Sequence, residues 1–404
     1  MAGPLKGFRV LDLSRILAGP WASQMLADLG AEVIKIERPG SGDDTRGWGP
    51  PYIPDDSGEA TSEAAYFHAA NRGKQSVCID MSQPEGQTLI QDLGRHCDVL
   101  IENFKVGGLK KYNLDYESLK ELNPRLVYCS ITGFGQSGPY ADRAGYDFMI
   151  QAMGGIMSVT GETDGLPMKI GVALADVLTG LYAANAIQAA LIHQQKTGTG
   201  QYIDMALLDV QVATLANQAM NYLATGNNPI RLGNAHPNIV PYQAFQTSDG
   251  YIILAIGNDS QFQRFCELAG KSEFAADERF QNNSNRVKNR DVLIPQVIEI
   301  MLQKTSAEWL EALNVRGIPC GPINNIEQVF ADPQVRHRGL QLELDHPNAG
   351  KVASVANPIR FSQTPIEYRQ SPPLLGEHTA MVLSSLLGMS DQAQDLLRDK
   401  GIIV

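Results

Sequence analysis

Residues 8–37 read FRVLDLSRILAGPWASQMLADLGAEVIKIE. Two short apolar runs, Phe8–Leu13 and Glu32–Glu37, flank a stretch, Gly19–Leu29, whose apolar residues recur at helical spacing. Strand, helix and strand joined by short connections form a β-α-β unit, whose two strands run parallel. The runs are nearly continuous in apolar character, as in a sheet covered on both faces. The pattern continues outward, with strands expected at Ser76–Asp80, Asp98–Glu102 and Leu126–Thr132 and helices near 84–94 and 116–122. The fold class is α/β, with a Rossmann-like large domain.

From Tyr146 the sequence turns helical. A long helix is expected over 173–195, then a strand in QYIDMAL, then a helix over 208–225. At 404 residues the chain exceeds the roughly 250–300 that one hydrophobic core serves, so two domains are expected. The large α/β domain spans 1–224, a turn-rich linker spans 225–241, and a small α+β domain spans 242–329, opening on a hairpin through Ser248–Gly250. Residues 330–404 return to the large domain.

The net charge of −11 excludes a broad nucleic-acid surface and attraction to anionic lipid. No apolar stretch is read as reaching the roughly 18 residues that span a bilayer. The five cysteines, Cys78, Cys97, Cys129, Cys266 and Cys320, are dispersed and read as reduced thiols of a reducing compartment. No leader is read before the first strand. The expected location is cytoplasmic, or the mitochondrial matrix only if a leader has been removed.

Familiar chemical motifs are missing. SRILAGPWAS follows the first strand in place of GxGxxG; there is no Walker lysine, no GxSxG elbow and no metal-ligand spacing of His or Cys. What recurs is polar or basic residues at the ends of expected strands: Arg15, Arg38, Asn71-Arg72-Gly73-Lys74, Asn103-Phe104, Lys111 and Arg143. Ligands of parallel sheets bind outside the carboxyl ends of the strands, and cations there suit a ligand with several phosphates. Asp176 falls in the first turn of the long helix. Two readings stand at this position: a plain helix cap, or a carboxylate placed for chemistry beside free N–H groups.

At these residues the chain resembles the class III CoA-transferases, the formyl-CoA and carnitine CoA-transferase type, over nearly its whole length. The stretches that carry the resemblance are LDLSRILAGPWASQMLADLGAEVIKIERPGSGDDTR, NRGKQS, DVLIENF, LVYCSITGFGQSGP, LADVLTG, KTGTGQYIDMALLD, GIPCGPINN and PLLGEHT. GDDTRGWGPP, RAGYD, AHPNIVPYQAF and GPINNIEQVFADPQV resemble the succinate–hydroxymethylglutarate (glutarate) CoA-transferase branch. The resemblance implies an interlocked, ring-shaped homodimer and places the family's nucleophilic aspartate on Asp176. Its CoA-contacting positions fall on Leu17, Ala18, Arg38, Asn71, Arg72, Gly73, Lys74, Asn103, Phe104, Lys111, Arg143, Tyr146 and Asp147. The tryptophan near the formyl-CoA transferase site falls on Trp48. That enzyme's glycine-rich lid has no counterpart in AIGNDSQF.

The resemblance implies that CoA passes from an acyl-CoA, as substrate and not as a tightly bound cofactor, to a small carboxylic acid. Asp176 would carry it through a mixed anhydride and an aspartyl-CoA thioester, with no metal. Succinyl-CoA as donor and glutarate, hydroxymethylglutarate or itaconate as acceptor are expected. For the distal carboxylate of such an acid the candidates are Arg46 beside Trp48, Arg72, Arg231 and His236, because a guanidinium fork fits a carboxylate. The α-methylacyl-CoA racemases also resemble the chain. Their GHD histidine is replaced by Tyr146 in Gly145-Tyr146-Asp147, and a phenol with a pKa near 10 is a poor base. A CoA-binding protein without catalysis is the alternative from another class.

Overall fold

A computed structural model describes residues 3–55 and 57–404. By internal contact the chain divides into two units. The first holds the described residues up to 156, then 169–219 and 334–404; the second holds 157–168 and 220–333. Residues 225–241, expected as a linker, therefore lie inside the second unit.

In chain order the first unit runs β1 (Arg9–Asp12), α1 (Ala18–Asp28), β2 (Glu32–Glu37), β3 (Lys74–Cys78), α2 (Pro84–Arg95), β4 (Val99–Glu102), α3 (Tyr116–Leu122), β5 (Val127–Thr132), α4 (Asp147–Met153), α5 (Leu174–Thr197), β6 (Tyr202–Ala206) and α6 (Leu207–Ala213). The six strands form one sheet in the order β3-β2-β1-β4-β5-β6, every neighbouring pair parallel. This is the doubly wound order with a switch point between β1 and β4. Alternate strand residues feed two cores. Val10, Val33, Val99, Ile101 and Val127 pack with Ala22 and Leu26 of α1 and Ala183 and Ile187 of α5. Leu11, Ile34, Val77 and Leu100 pack with Leu89 and Leu93 of α2 and with Val382 and Ile402 of the tail. Burial on both faces is why these strands read as apolar runs.

Helix α5 lies close against α1. A Cβ at Gly180 would come within 2.8 Å of the Ala18 carbonyl oxygen, so only glycine permits this approach. The 24 residues of α5 are long and apolar enough, by length and composition, to cross a membrane. This corrects the sequence expectation that no such stretch exists: Asn185, Gln188 and His193 interrupt the apolar run without lowering its mean enough. Its Ala175, Thr179, Ala183, Ile187 and Leu191 are buried in the core. The helix expected over 208–225 is broken, since Ala216, the first residue of a second helix, Ala216–Thr225, takes a left-handed φ of +47°.

The tail closes the first unit at its β3 edge. The Thr379 hydroxyl accepts the Cys78 N–H at 3.0 Å, and Asp80 N donates to Ile402 O at 2.8 Å. The second unit is α+β. Tyr242–Gln246 and Tyr251–Ala255 form the expected antiparallel hairpin, to which Cys320–Pro322 adds a third strand. Phe245, Leu254, Phe265, Leu293 and Trp309 fill its core. Arg286, fully buried, donates to the carbonyls of Val240 and Phe280 and to Asp259.

Candidate active site

At the switch point the chains leaving β1 and β4 diverge, and a cavity of about 500 Å³ opens there. Leu17 and Ala18 line it from the β1–α1 turn, Asn103 and Phe104 from the end of β4, and Lys111 from beyond. Arg143, Tyr146 and Asp147 line it from the approach to α4, and Asp176 from the first turn of α5. The structure thus gathers Asp176 and eight of the residues expected to contact CoA into one crevice.

The β1–α1 turn is held in a costly shape. Ile16 has a φ of +73°, a left-handed conformation that is a true outlier for a β-branched residue and costs on the order of 1–3 kcal/mol. Polar groups hold it in place. Asp43 accepts the Ile16 N–H at 3.2 Å, and the Asn103 side-chain amide accepts from Arg15 N at 2.9 Å and donates to Arg15 O at 2.7 Å. Asn103 therefore shapes the wall with its side chain, which is committed to backbone. Asp43 is in turn paired with Lys35 at 2.9 Å, both side chains fully buried. Burial alone would raise the Asp43 carboxyl, but Lys35 and the Thr45 N–H bring it down to about 2. Lys35 also donates to Ser14 O at 2.8 Å.

Asp176 is half-buried, and among the described residues no group donates a hydrogen bond to its carboxylate. Burial, and next the negative charge of Asp147, push it up to about 7. Asp147 Oδ1 accepts the N–H of Ala175 at 2.8 Å and of Asp176 at 3.4 Å. The cap reading of Asp176 is thus answered: the carboxylate that caps α5 comes from Asp147. Tyr66 is near enough for the charge of Asp176 to add to burial in raising its phenol. Its ring meets Trp48 edge-on at 5.2 Å, and Trp48 is 45% exposed.

Lys111 and Arg143 are exposed and lie over the rings of Tyr112 (4.5 Å) and Tyr140 (4.0 Å) without an ion-pair partner among the described residues. Arg38 lines an adjoining cavity of about 490 Å³ that shares Arg15, Phe104 and Tyr112 with the first. With Lys105, which also lines the first cavity, these are cations available to phosphate.

Other expected residues have partners within the protein. Arg72 forks onto Asp28 at 2.9 and 2.6 Å and is buried. Lys74 is wholly buried; it donates to Asp12, Pro20 O and Asn71, and burial, against the pull of Asp12, lowers it to about 8. Asn71 also donates to Phe67 O, and Gly73, at a φ of +73°, donates its N–H to Gln370 O. Arg46 forks onto Glu37, both bonds at 2.8 Å, and covers the Phe67 ring. Its guanidinium is engaged by a buried carboxylate. Arg231 and His236 belong to the second unit, where Arg231 donates to Glu162 O and Gly165 O, and His236 Nδ1 accepts the Asn238 N–H.

Two further groups escaped sequence reading. Glu102, buried at the end of β4, accepts the Phe104 N–H at 2.7 Å, and burial pushes it up to about 7. Glu63, His68 and His346 place ligand atoms within 4.8 Å of one another. His346 Nδ1 accepts the N–H groups of Asn348 and Ala349, so its neutral ring carries the proton on Nε2, the atom a metal would need bare.

The sequence signature of "CoA-transferase family III" matches residues 5–379. The chain belongs to that family. This CoA-transferase is 57% identical over 384 residues to the succinate–glutarate CoA-transferase of Agrobacterium fabrum, covering 95% of this chain and 96% of the relative. It is 44% identical over 400 residues to the human succinyl-CoA:glutarate CoA-transferase, covering 99% and 90%. Among solved structures, a CaiB/BaiF family protein from Brucella suis superposes with a TM-score of 0.84 at 55% identity, covering 96% of this chain and all of that one. The family resemblance read from the sequence is borne out, and the enzyme uses CoA thioesters as substrates.

Proposed function

We propose that this CoA-transferase moves CoA from succinyl-CoA to a dicarboxylic acid of the glutarate class, with Asp176 as covalent relay and a homodimer of interlocked chains as the working assembly. The observation that carries the relay is a carboxylate at the helix start, inside the switch-point crevice, that accepts no hydrogen bond among the described residues. The names of the relatives support the pair of acids, and the family supports the assembly.

In the first step a carboxylate oxygen of Asp176 bonds to the thioester carbonyl carbon, and the C–S bond breaks to give a mixed anhydride and CoA thiolate. The thiolate attacks the aspartyl carbonyl, forming an aspartyl-CoA thioester and releasing succinate. The acceptor carboxylate then runs the two exchanges in reverse, and Asp176 is regenerated. A carboxylate is a weak nucleophile, so position must compensate; effective molarities of roughly 10⁵–10⁸ M for well-held groups are sufficient. The clamped Arg15–Leu17 turn serves this end, because the crevice wall is formed before substrate arrives. Lys111, Arg143 and Arg38 are the cations offered to the phosphates of CoA.

The test is exchange of succinyl-CoA against a panel of dicarboxylates and monocarboxylates of equal length, with hydroxylamine present in a parallel reaction. Wild-type enzyme should prefer dicarboxylates by roughly 10- to 150-fold, the worth of one charge-assisted contact, and should be labelled at Asp176. Turnover by Asp176→Ala, or equal use of valerate and glutarate, contradicts the relay or the acid class respectively.

A further inference from the structure

The start of α5 poses a puzzle. A first-turn aspartate ordinarily profits from the free N–H groups and the positive end of the helix dipole, both of which lower its pKa. Asp176 has that position and not that benefit, since Asp147 takes the N–H groups of Ala175 and Asp176 itself. Asp147 is rigidly placed to do so. Its second oxygen accepts from Gln151 Nε2 at 2.8 Å, one turn further along α4. Gln151 is fully buried, and its own oxygen accepts the Ile170 N–H at 2.9 Å, tying α4 to the segment that leads into α5.

We propose that Asp147 is a positioning residue that keeps Asp176 reactive, by consuming the amides at the start of α5 and standing beside Asp176 as a second negative charge. The proposal rests on the reading of Asp176 as the relay. Hydrogen bonds to a carboxylate stabilise its charged form and blunt its basicity, and a neighbouring anion does the reverse. Acylation turns Asp176 from an anion into a neutral anhydride as its oxygen bonds to the carbonyl carbon and the C–S electrons leave on CoA. The repulsion with Asp147 is then relieved, so the arrangement favours the step from the substrate side.

Other charges around Asp176 do not supply this effect. On the elements packed against α5, Asp28 of α1 is paired with Arg72, Asp204 of β6 accepts the Gln136 N–H, and Asp209 of α6 is exposed. Cys129, Tyr128 and Tyr202 of β5 and β6 are all pushed up by burial and stay neutral. Arg15, Lys105, Lys111 and Arg143 line the cavity with positive charge, and Tyr146 is the phenol among them. Asp147 alone of these acts on Asp176 by its charge, second to burial.

The experiment measures kcat/KM for acyl-CoA, and hydroxylamine labelling of Asp176, against pH in the full-length enzyme. Asp147→Asn retains an oxygen for the α5 amides and removes the charge; Asp147→Ser does the same with a different shape and serves if the Asn variant fails to fold. Gln151→Leu cuts the strut and leaves both charges. We expect the acidic limb to move down by about one pH unit in the Asp147 variants, as for loss of a nearby like charge, and the rate on the plateau to fall. In Gln151→Leu the limb should stay and kcat should drop. An unmoved limb in the Asp147 variants, or an equal shift in Gln151→Leu, overturns the role of Asp147 while a labelled Asp176 leaves the relay intact. Absence of label on wild-type Asp176 is the separate failure of the relay itself.

Discussion

Replacing the proposed nucleophile should make the protein more stable. Asp176 ordinarily ionises near 3.8, and in the folded protein burial and then Asp147 carry it to about 7. The native state therefore holds its proton more tightly than the unfolded chain. Stability falls as pH rises from about 4 towards 7, and the cost is complete above that range and absent below it. At 1.36 kcal/mol per unit of pKa the gap amounts to about 4 kcal/mol, which sets a ceiling. Asp176→Asn removes the charge but leaves an amide without partners, at a cost of about 1–3 kcal/mol. The net expectation is a gain of about 1–3 kcal/mol near pH 8, seen as a rise in melting temperature of about 2–4 °C for each kcal/mol. Melting curves of wild type and variant at pH 8 and pH 4 provide the assay. The gain should be present at pH 8 and vanish at pH 4. A variant less stable than wild type at pH 8, or a gain equal at both pH values, refutes the claim that the carboxylate is held charged at the fold's expense.

Two more outcomes follow from the site. Lys111→Ala and Arg143→Ala should each raise KM for acyl-CoA by roughly 10- to 150-fold with a smaller change in kcat, the loss expected of one charge-assisted contact; steady-state kinetics at fixed ionic strength checks this. Lys74→Met should cost about 3–5 kcal/mol in a denaturant titration, because it strands the fully buried Asp12 carboxylate, and Asp12→Asn in the same background should restore part of the loss.

The sheet was legible because its signal is local. The runs at 8–13 and 32–37 and the helix between them needed only hydropathy and spacing, and the observed β1, α1 and β2 fall within a residue or two of those bounds. The crevice residues were legible for the same reason: strand ends can be counted along the chain. The roles of Arg46, Arg72 and Lys74 were not, since a basic residue after a strand looks the same whether it faces a phosphate or a buried acid. Their partners, Glu37, Asp28 and Asp12, are fixed only once the sheet has assembled. Asp147 was found as part of a recognised stretch, but its grip on the α5 amides joins residues 28 apart and leaves no trace in either segment. The left-handed Ile16 had no signal at all, because the residue type argues against the conformation it adopts.

The strand order carries a last consequence. The crevice between β1 and β4 exists because the chain winds outward in opposite directions from the centre of the sheet, so its depth is a property of the path of the backbone. No single lining side chain creates it and none can abolish it by shrinking. Substitutions at the rim are then free to alter which acid is admitted while the room behind keeps its shape. Selectivity in such a molecule is upholstery; the architecture that makes acyl exchange feasible lies in the order of the strands.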